Sequence, residues 1–287
     1  MPHTILVTGA NGYIGQHVIK KLLLLCPDDT VVAADLKNDN IDRQAVYVSP
    51  DILREAGSPN LYDRLRRPDV CIHLAWQDGF NHNAESHIKN LPAHFAFLKN
   101  MIDSGCSSVS VMGTMHEIGC YEGCVDEKTP CNPLSFYGIA KNALRQSLFA
   151  YGQGKKTNLK WLRAFYITGD DLHNKSIFSK ILELEKEGKK SFPFTSGTNK
   201  YDFTDIDVLA GQIASASVQN KVCGIINVCS GHAVPLREKV EEFLSRNHLK
   251  IRPEYGAYPD RSYDSPAIWG DNGKISDILG GGANADY

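Results

Sequence analysis

An apolar, β-type run at the start of the chain empties into three glycines spaced three apart: Thr4-Ile5-Leu6-Val7-Thr8-Gly9-Ala10-Asn11-Gly12-Tyr13-Ile14-Gly15. An apolar helical pattern comes directly after it. That order is a strand, a tight turn and a helix N-terminus. Glycine lets the backbone turn sharply and approach a bound group closely, while the helix start offers unpaired N–H groups and the positive end of a dipole. The turn reads as a phosphate cradle.

Beyond the turn, two kinds of segment alternate. Strand-like runs at 5–7, 30–36, 45–48, 70–75, 108–112 and 159–165 are interleaved with helical patterns at 16–25, 84–104 and 137–151. Strands alternating with helices imply right-handed crossovers and a parallel sheet covered on both faces. The second half is less regular. Helices are expected at 176–188, within 203–220 and at 236–245, with an apolar strand candidate at 225–228 in a position to rejoin the main sheet. The remainder, rich in Pro, Gly, Tyr and Asp, has little periodicity and ends in a glycine tail. The expected architecture is α/β: a Rossmann-type doubly wound parallel sheet from 1–168 plus 204–229, and a small C-terminal substrate-binding lobe from 169–203 plus 230–287.

Composition excludes several other classes. The 287 residues, 42% hydrophobic and 22% charged, suit one large soluble domain with an appendage. A net charge of −2 argues against a nucleic-acid binder. No apolar run reaches the roughly 18 residues of a membrane span, and the glycine turn interrupts any signal-peptide order, so the expected compartment is the cytoplasm. None of the eight cysteines forms a C-x-x-C pair. Cys120, Cys124 and Cys131 crowd together but would need His116 to complete an irregular set. Reduced thiols and no metal are expected.

Asp35 ends the second strand twenty residues after Gly15, where a carboxylate accepts hydrogen bonds from the adenosine ribose of a dinucleotide. Its charge repels a 2′-phosphate and favours NAD(H). Lys37 blunts that preference and leaves NADP(H) open. Asp51-Ile52, after the third strand, is a weaker candidate for the adenine edge and reads equally as a turn after Pro50. Tyr137 and Lys141 stand four residues apart on one helical face. A free phenol has a pKa of about 10, and a neighbouring cation lowers it by favouring the phenolate. Thr114, just past the fifth strand, is positioned to hold a carbonyl oxygen while Tyr137 protonates it; a cap or turn is its alternative role.

Jointly, TGANGYIG at the start, HLA at 73–75, the segment from Thr114 to Gly119, YGIAK at 137–141, Tyr201-Asp202-Phe203 and Asn227-Val228 carry a resemblance. They resemble the extended short-chain dehydrogenase/reductases of the nucleotide-sugar epimerase/dehydratase family over nearly the whole chain. The resemblance implies that Gly9, Asn11, Gly12, Tyr13, Ile14, Gly15, Asp35, Asp51, Ile52, Leu74, Ala75 and Asn90 surround the cofactor. It makes Thr114 the substrate-orienting hydroxyl, Tyr137 the acid/base, and Lys141 the residue that binds the nicotinamide ribose and tunes the phenol. Two departures stand out. Glu117-Ile118-Gly119 replaces the family's frequent V-Y-G, and Tyr166 stands where a substrate-contacting asparagine is common, so the sugar pocket is altered.

Met115-His116 occupies the place of the Asp-Glu pair of dehydratases, which disfavours elimination of water. The segment 115–119, with 131–137, looks most like reductases of nucleotide-activated 4-keto-6-deoxy sugars, such as those making dTDP-fucose. His116 and Glu117 would then reach the sugar, or else form an electrostatic pair that steadies the loop. Arg261 is the leading candidate for the diphosphate, with Lys200 and Arg237 behind it, and 176–180 would lie over the nucleotide. The implied function is NAD(P)H-dependent reduction of such a sugar in deoxysugar and surface-polysaccharide biosynthesis. A 4-epimerase is the alternative, and a cofactor-sensing regulator is disfavoured by the intact tyrosine–lysine pair. Relatives commonly dimerise through the helices at 84–104 and 137–151, so a homodimer is implied, although the apolar positions there equally suit a core.

Overall fold

The computed structural model describes residues 2–169, 174, 176–260 and 264–280. The first half contains β1 (Thr4–Thr8), α1 (Tyr13–Leu25), β2 (Thr30–Ala34), β3 (Val46–Val48), α2 (Leu61–Arg64), β4 (Val70–His73), α3 (Ser86–Asp103), β5 (Ser108–Thr114), β6 (Gly123–Val125) and α4 (Phe136–Gly152). A single 3-10 turn, Met115–Glu117, comes after β5. The second half contains β7 (Asn158–Ala164), β8 (Tyr166–Thr168), α5 (Ile177–Lys186), β9 (Ser191–Pro193), β10 (Lys200–Asp205), α6 (Ile206–Val218) and β11 (Gly224–Val228). It closes with β12 (Ala233–Pro235), α7 (Leu236–Arg246), β13 (Arg252–Glu254), β14 (Ala267–Gly270) and α8 (Gly273–Ile278).

Seven strands form one parallel sheet in the order β11-β7-β5-β4-β1-β2-β3. The strands are continuous apolar runs because both faces are covered. Ile5, Val7, Val31 and Ile72 pack against Val18, Ile19 and Leu22 of α1 and Leu209 and Ile213 of α6. Leu6, Val32, Val109 and Trp161 pack against Phe97 and Leu98 of α3 and Leu144 and Leu148 of α4. Each such aliphatic or aromatic side chain contributes about 2 kcal/mol over its exposed state. The strand order reverses between β1 and β4, which opens a crevice at their C-terminal ends. Gly9 turns the chain there at φ +69°, and a Cβ on it would stand 2.6 Å from the Ala75 amide nitrogen.

A second sheet runs β12-β10-β14-β6, with β8 also paired to β10, and β9 pairs with β13. Asp202 of the Tyr201-Asp202-Phe203 segment is fully buried and fastens this sheet to the turn after β11. Its carboxylate accepts from the Ser230 amide (2.9 Å) and hydroxyl (2.6 Å) and from the amides of Gly231 (2.9 Å) and Gly270 (3.2 Å). No helix among the described residues is long and apolar enough to cross a membrane.

The second half departs from the sequence reading in places. Residues 203–205, expected within a helix, complete β10, and 225–228 does return to the main sheet beside β7. β6, inside the 1–168 segment, pairs with β14 in the second sheet, while α8, from the 230–287 segment, buries Ile275 in the main core. Strands of three or four residues are too short to show alternation, and their partners are remote in sequence.

Candidate active site

The crevice collects the glycine turn, the loop after β4 and the end of β5. Gly12 is the N-cap of α1 and Gly15 lies in its first turn. The Asn11 amide donates to Asp35 Oδ2 (3.0 Å), and Asp35 Oδ1 accepts from the Leu36 amide (2.7 Å). Asn40 closes this corner: its amide donates to Asn11 Oδ1 (2.7 Å) and its side chain to the Asn11 carbonyl (3.3 Å). A carboxylate has about four acceptor positions, so Asp35 keeps room for a ribose diol. Tyr13 donates its hydroxyl to the Gly169 carbonyl (2.6 Å), and the half-buried Ile14 packs on the main core. The Leu74 amide donates to the Thr8 carbonyl (3.1 Å) and the Ala75 amide to Thr8 Oγ1 (3.4 Å), which sets the loop after β4 against the turn.

These residues fit a dinucleotide: a turn with no side chain to block it, a helix N-terminus facing the crevice and a carboxylate with spare acceptors. Asp51 and Ile52, the candidates for the adenine edge, are each engaged locally. The Ile52 side chain is buried among Ala56 and Leu61, so only its backbone is left for an adenine. The Asp51 carboxylate accepts from the Arg54 amide (3.1 Å) and pairs with the Arg54 guanidinium (3.4 Å), as a turn residue does. Asn90, on α3, donates to Gln77 Oε1 (3.0 Å) in the loop after β4.

Thr114, the last residue of β5, is 6% exposed and caps the 3-10 turn. Its hydroxyl accepts from the His116 amide (3.3 Å). Helix α4 begins against this turn: Ser135 caps it through the Gly138 amide (3.2 Å), and the Tyr137 amide donates to the His82 carbonyl (2.9 Å). The approach is close enough that a Cβ on Gly138 would stand 2.3 Å from the His116 carbonyl oxygen. Burial pushes the Tyr137 phenol up to about 12, with the Glu117 charge adding to it and a hydrogen bond with Thr114 opposing it. Lys141 is 2% exposed and donates to the Met112 carbonyl (2.8 Å). Burial lowers its ammonium to about 7, against an opposing pull from Glu117. The phenol thus stands above its ordinary value, where the sequence reading expected Lys141 to bring it below, and burial is the largest cause.

Around the pair lies an aromatic cluster that sequence reasoning missed. Trp76 stacks on His94 (centroids 4.3 Å, 15°) and meets Tyr137 edge-on at 6.2 Å. His82 stacks on Tyr137 (5.3 Å, 14°) and lies 4.2 Å from the His116 ring. His73 joins Thr8 Oγ1 (2.8 Å) to His94 Nδ1 (2.9 Å) in the interior. A tryptophan directly after H-L-A, and two histidines seven apart on α3, were the available signals.

A family model described as the NAD-dependent epimerase/dehydratase family matches residues 5–229. The chain belongs to this family. It is 43% identical, over 93% of its own length and 98% of the relative's, to the dTDP-6-deoxy-L-talose 4-dehydrogenase (NAD+) of Aggregatibacter actinomycetemcomitans. It is 26% identical to the UDP-glucose 4-epimerase of Vibrio cholerae, over 84% of this chain and 75% of the relative. In fold it is similar to the solved structure of MoeE5 in complex with UDP-glucuronic acid and NAD, at a TM-score of 0.80 and 24% identity, over 96% of this chain and 92% of the other.

Within an epimerase/dehydratase site, Glu117 is the clearest correction. Expected to reach the sugar or to pair with His116, it is fully buried beneath Thr114. Its Oε1 accepts from the Thr114 amide (2.8 Å) and the Trp161 indole (2.8 Å), and its Oε2 pairs with Arg145 (3.4 Å) and Arg163 (3.5 Å). β7 supplies Trp161 and Arg163 and α4 supplies Arg145, partners that only the topology brings together. His116 stays beside Tyr137, 5.9 Å between rings, and burial holds it down to about 3. Tyr166 packs against Tyr201 with its ring tilted by 34° (centroids 4.3 Å), in the cluster that also holds Met115. Arg261 lies outside the described residues. Arg237 sits over the Tyr255 ring (4.1 Å), Lys200 is exposed on β10, and Ser176 caps α5.

Proposed function

We propose that this protein reduces the 4-keto group of a dTDP-linked 6-deoxy sugar with NADH and runs the reverse oxidation with NAD+. The observation that carries this reading is the 43% identity, over 93% of this chain, with a relative named dTDP-6-deoxy-L-talose 4-dehydrogenase (NAD+). A talose-type product therefore comes before the fucose type as the sugar to test. The site's chemistry supports the reading. NADH, when bound, supplies the hydride for C4. Thr114 holds the carbonyl oxygen, and Tyr137, a phenol that burial keeps protonated at neutral pH, gives it the proton. The tyrosine regains its proton from solvent. Lys141 meets the nicotinamide ribose, Asp35 the adenosine ribose, and His116 and Tyr166 the sugar, while the nucleotide lies over the unit built on β10 and α5. A homodimer through α3 and α4 is part of the same reading, since Ile88 (42%) and Ile139 (41%) lie exposed on them.

A 4-epimerase is the competing reading, supported by the similarity to the Vibrio cholerae enzyme. Purified protein is mixed with NADH and dTDP-4-keto-6-deoxy sugars, and absorbance is monitored at the nicotinamide band. Stoichiometric loss of NADH, abolished in Tyr137→Phe with NADH binding retained, is the expected result. Interconversion of two sugars without net NADH loss would overturn the reductase in favour of the epimerase.

A further inference from the structure

Trp76 has no part in the proton and hydride transfers, yet its indole is held from several sides. Its Nε1–H donates to His87 Nδ1 (3.0 Å), and His87 Nε2 lies 2.8 Å from the Asn81 carbonyl. An indole N–H can only donate, so His87 takes the tautomer that donates from Nε2. One face of the indole stacks on His94, and Tyr137 meets it edge-on. The Lys141 ammonium lies over the ring, 3.7 Å from its centroid.

We propose that Trp76 is a positioning residue of the redox site, its indole holding the Lys141 ammonium beside Tyr137 for the nicotinamide ribose of NAD(H). The inference rests on the proposed roles of Tyr137 and Lys141 in sugar reduction. Lys141 has three N–H donors in a site almost closed to water, and the Met112 carbonyl takes one of them. An indole face attracts a cation more strongly than any other ring, and more so where water is excluded. With the carbonyl and the ring fixing two directions, the remaining N–H is free for a ribose hydroxyl. The clamp by His87 and His94 stops the indole from turning away. The titratable groups facing Lys141 are Glu117 from the turn after β5, His73 from β4, His94 from α3 and Tyr137 from its own helix. His73 and His94 are neutral through burial, so Glu117 and the indole are what favour the charged amine.

The test uses the full chain with Trp76→Leu and Trp76→Phe. NADH affinity is measured by calorimetry from pH 6 to 9, alongside the pH profile of kcat/KM. In Trp76→Leu the alkaline limb of both profiles moves down by about one pH unit, and NADH binding at pH 8 weakens on the order of tenfold. Trp76→Phe, which keeps a π face, recovers most of both. Equal behaviour of the two variants, or unmoved limbs in a normally folded Trp76→Leu, overturns the proposal. A second measurement does not depend on either variant folding. Indole emission of the wild-type protein shows a pH step that disappears in Lys141→Met, and a step that survives there, from His87 or His94, also overturns it. Failure of the sugar reductase assay with the emission step intact refutes the activity and leaves the Trp76–Lys141 pairing standing.

Discussion

Replacing Glu117 by glutamine keeps the shape of the side chain and one carbonyl oxygen for the Thr114 amide and the Trp161 indole. It removes the charge that faces two guanidinium groups. The consequences for those two differ. Arg145 is 14% exposed and keeps the Asn142 oxygen (2.6 Å), so it can relax toward water. Arg163 is 1% exposed, and its other contact is a 3.2 Å hydrogen bond to the Asp126 carbonyl, so its charge is stranded. Breaking a buried ion pair from one side costs about 3–5 kcal/mol. The separations of 3.4 and 3.5 Å are longer than a charge-assisted hydrogen bond, which puts the expected loss at about 3 kcal/mol. Equilibrium unfolding in urea measures it as a fall in midpoint at unchanged slope. The double variant Glu117→Gln/Arg163→Met, which deletes the stranded charge, should recover more than half of the loss. A loss under about 1 kcal/mol would refute the reasoning, since that is the range of an exposed pair. So would a collapse of kcat/KM with stability intact, because that outcome would put Glu117 on the substrate.

Three further outcomes are expected. His94 is buried and held at about 3, whereas in the unfolded chain it takes up a proton near 6.5. Stability present above pH 6.5 is therefore lost as pH falls toward 3, by about 2 kcal/mol at pH 5, and His94→Phe should flatten that part of the urea-midpoint profile. Asp35→Asn should weaken NAD+ binding roughly ten- to hundredfold and raise the relative affinity for NADP+, by calorimetry; an unchanged preference would remove Asp35 from the ribose. Sugar oxidation should rise with pH more steeply than sugar reduction, because the Tyr137 phenol begins protonated; parallel profiles would contradict that assignment.

The parts of the molecule legible in the sequence are those whose partners are near in the chain or whose patterns are long. Ile5-Leu6-Val7, Val31-Val32 and Val109 read as strands because a parallel sheet covered on both faces needs unbroken apolar runs. Tyr137 and Lys141 read as a pair because one helical turn separates them. Glu117 misleads for the opposite reason. A carboxylate next to a histidine in a loop beside the candidate catalytic hydroxyl looks as though it faces the substrate, and its true partners arrive from residues 145, 161 and 163. Trp76 follows H-L-A directly, but the groups that fix its indole belong to α3 and α4 and come to it only through the fold. The second sheet is hidden for want of length: Gly123–Val125 has three residues, and its partner begins at Ala267.

The charges around the site explain one another. A buried carboxylate beneath Thr114 raises both groups above it, making the phenol harder to ionise and the amine harder to neutralise. For the phenol this adds to burial, and the result is a proton donor. For the amine it opposes burial, and the result stays near neutrality, where the indole of Trp76 can tip it toward the charged form. The proposed reduction calls for that combination: a phenol that still holds its proton when the hydride arrives, beside a cation that steadies the phenolate left behind. The reverse oxidation, on the same proposal, begins from the phenolate, which burial and Glu117 disfavour. On the proposed function, Tyr137 would hold its proton beside NADH, and the positive nicotinamide of NAD+ would favour its phenolate.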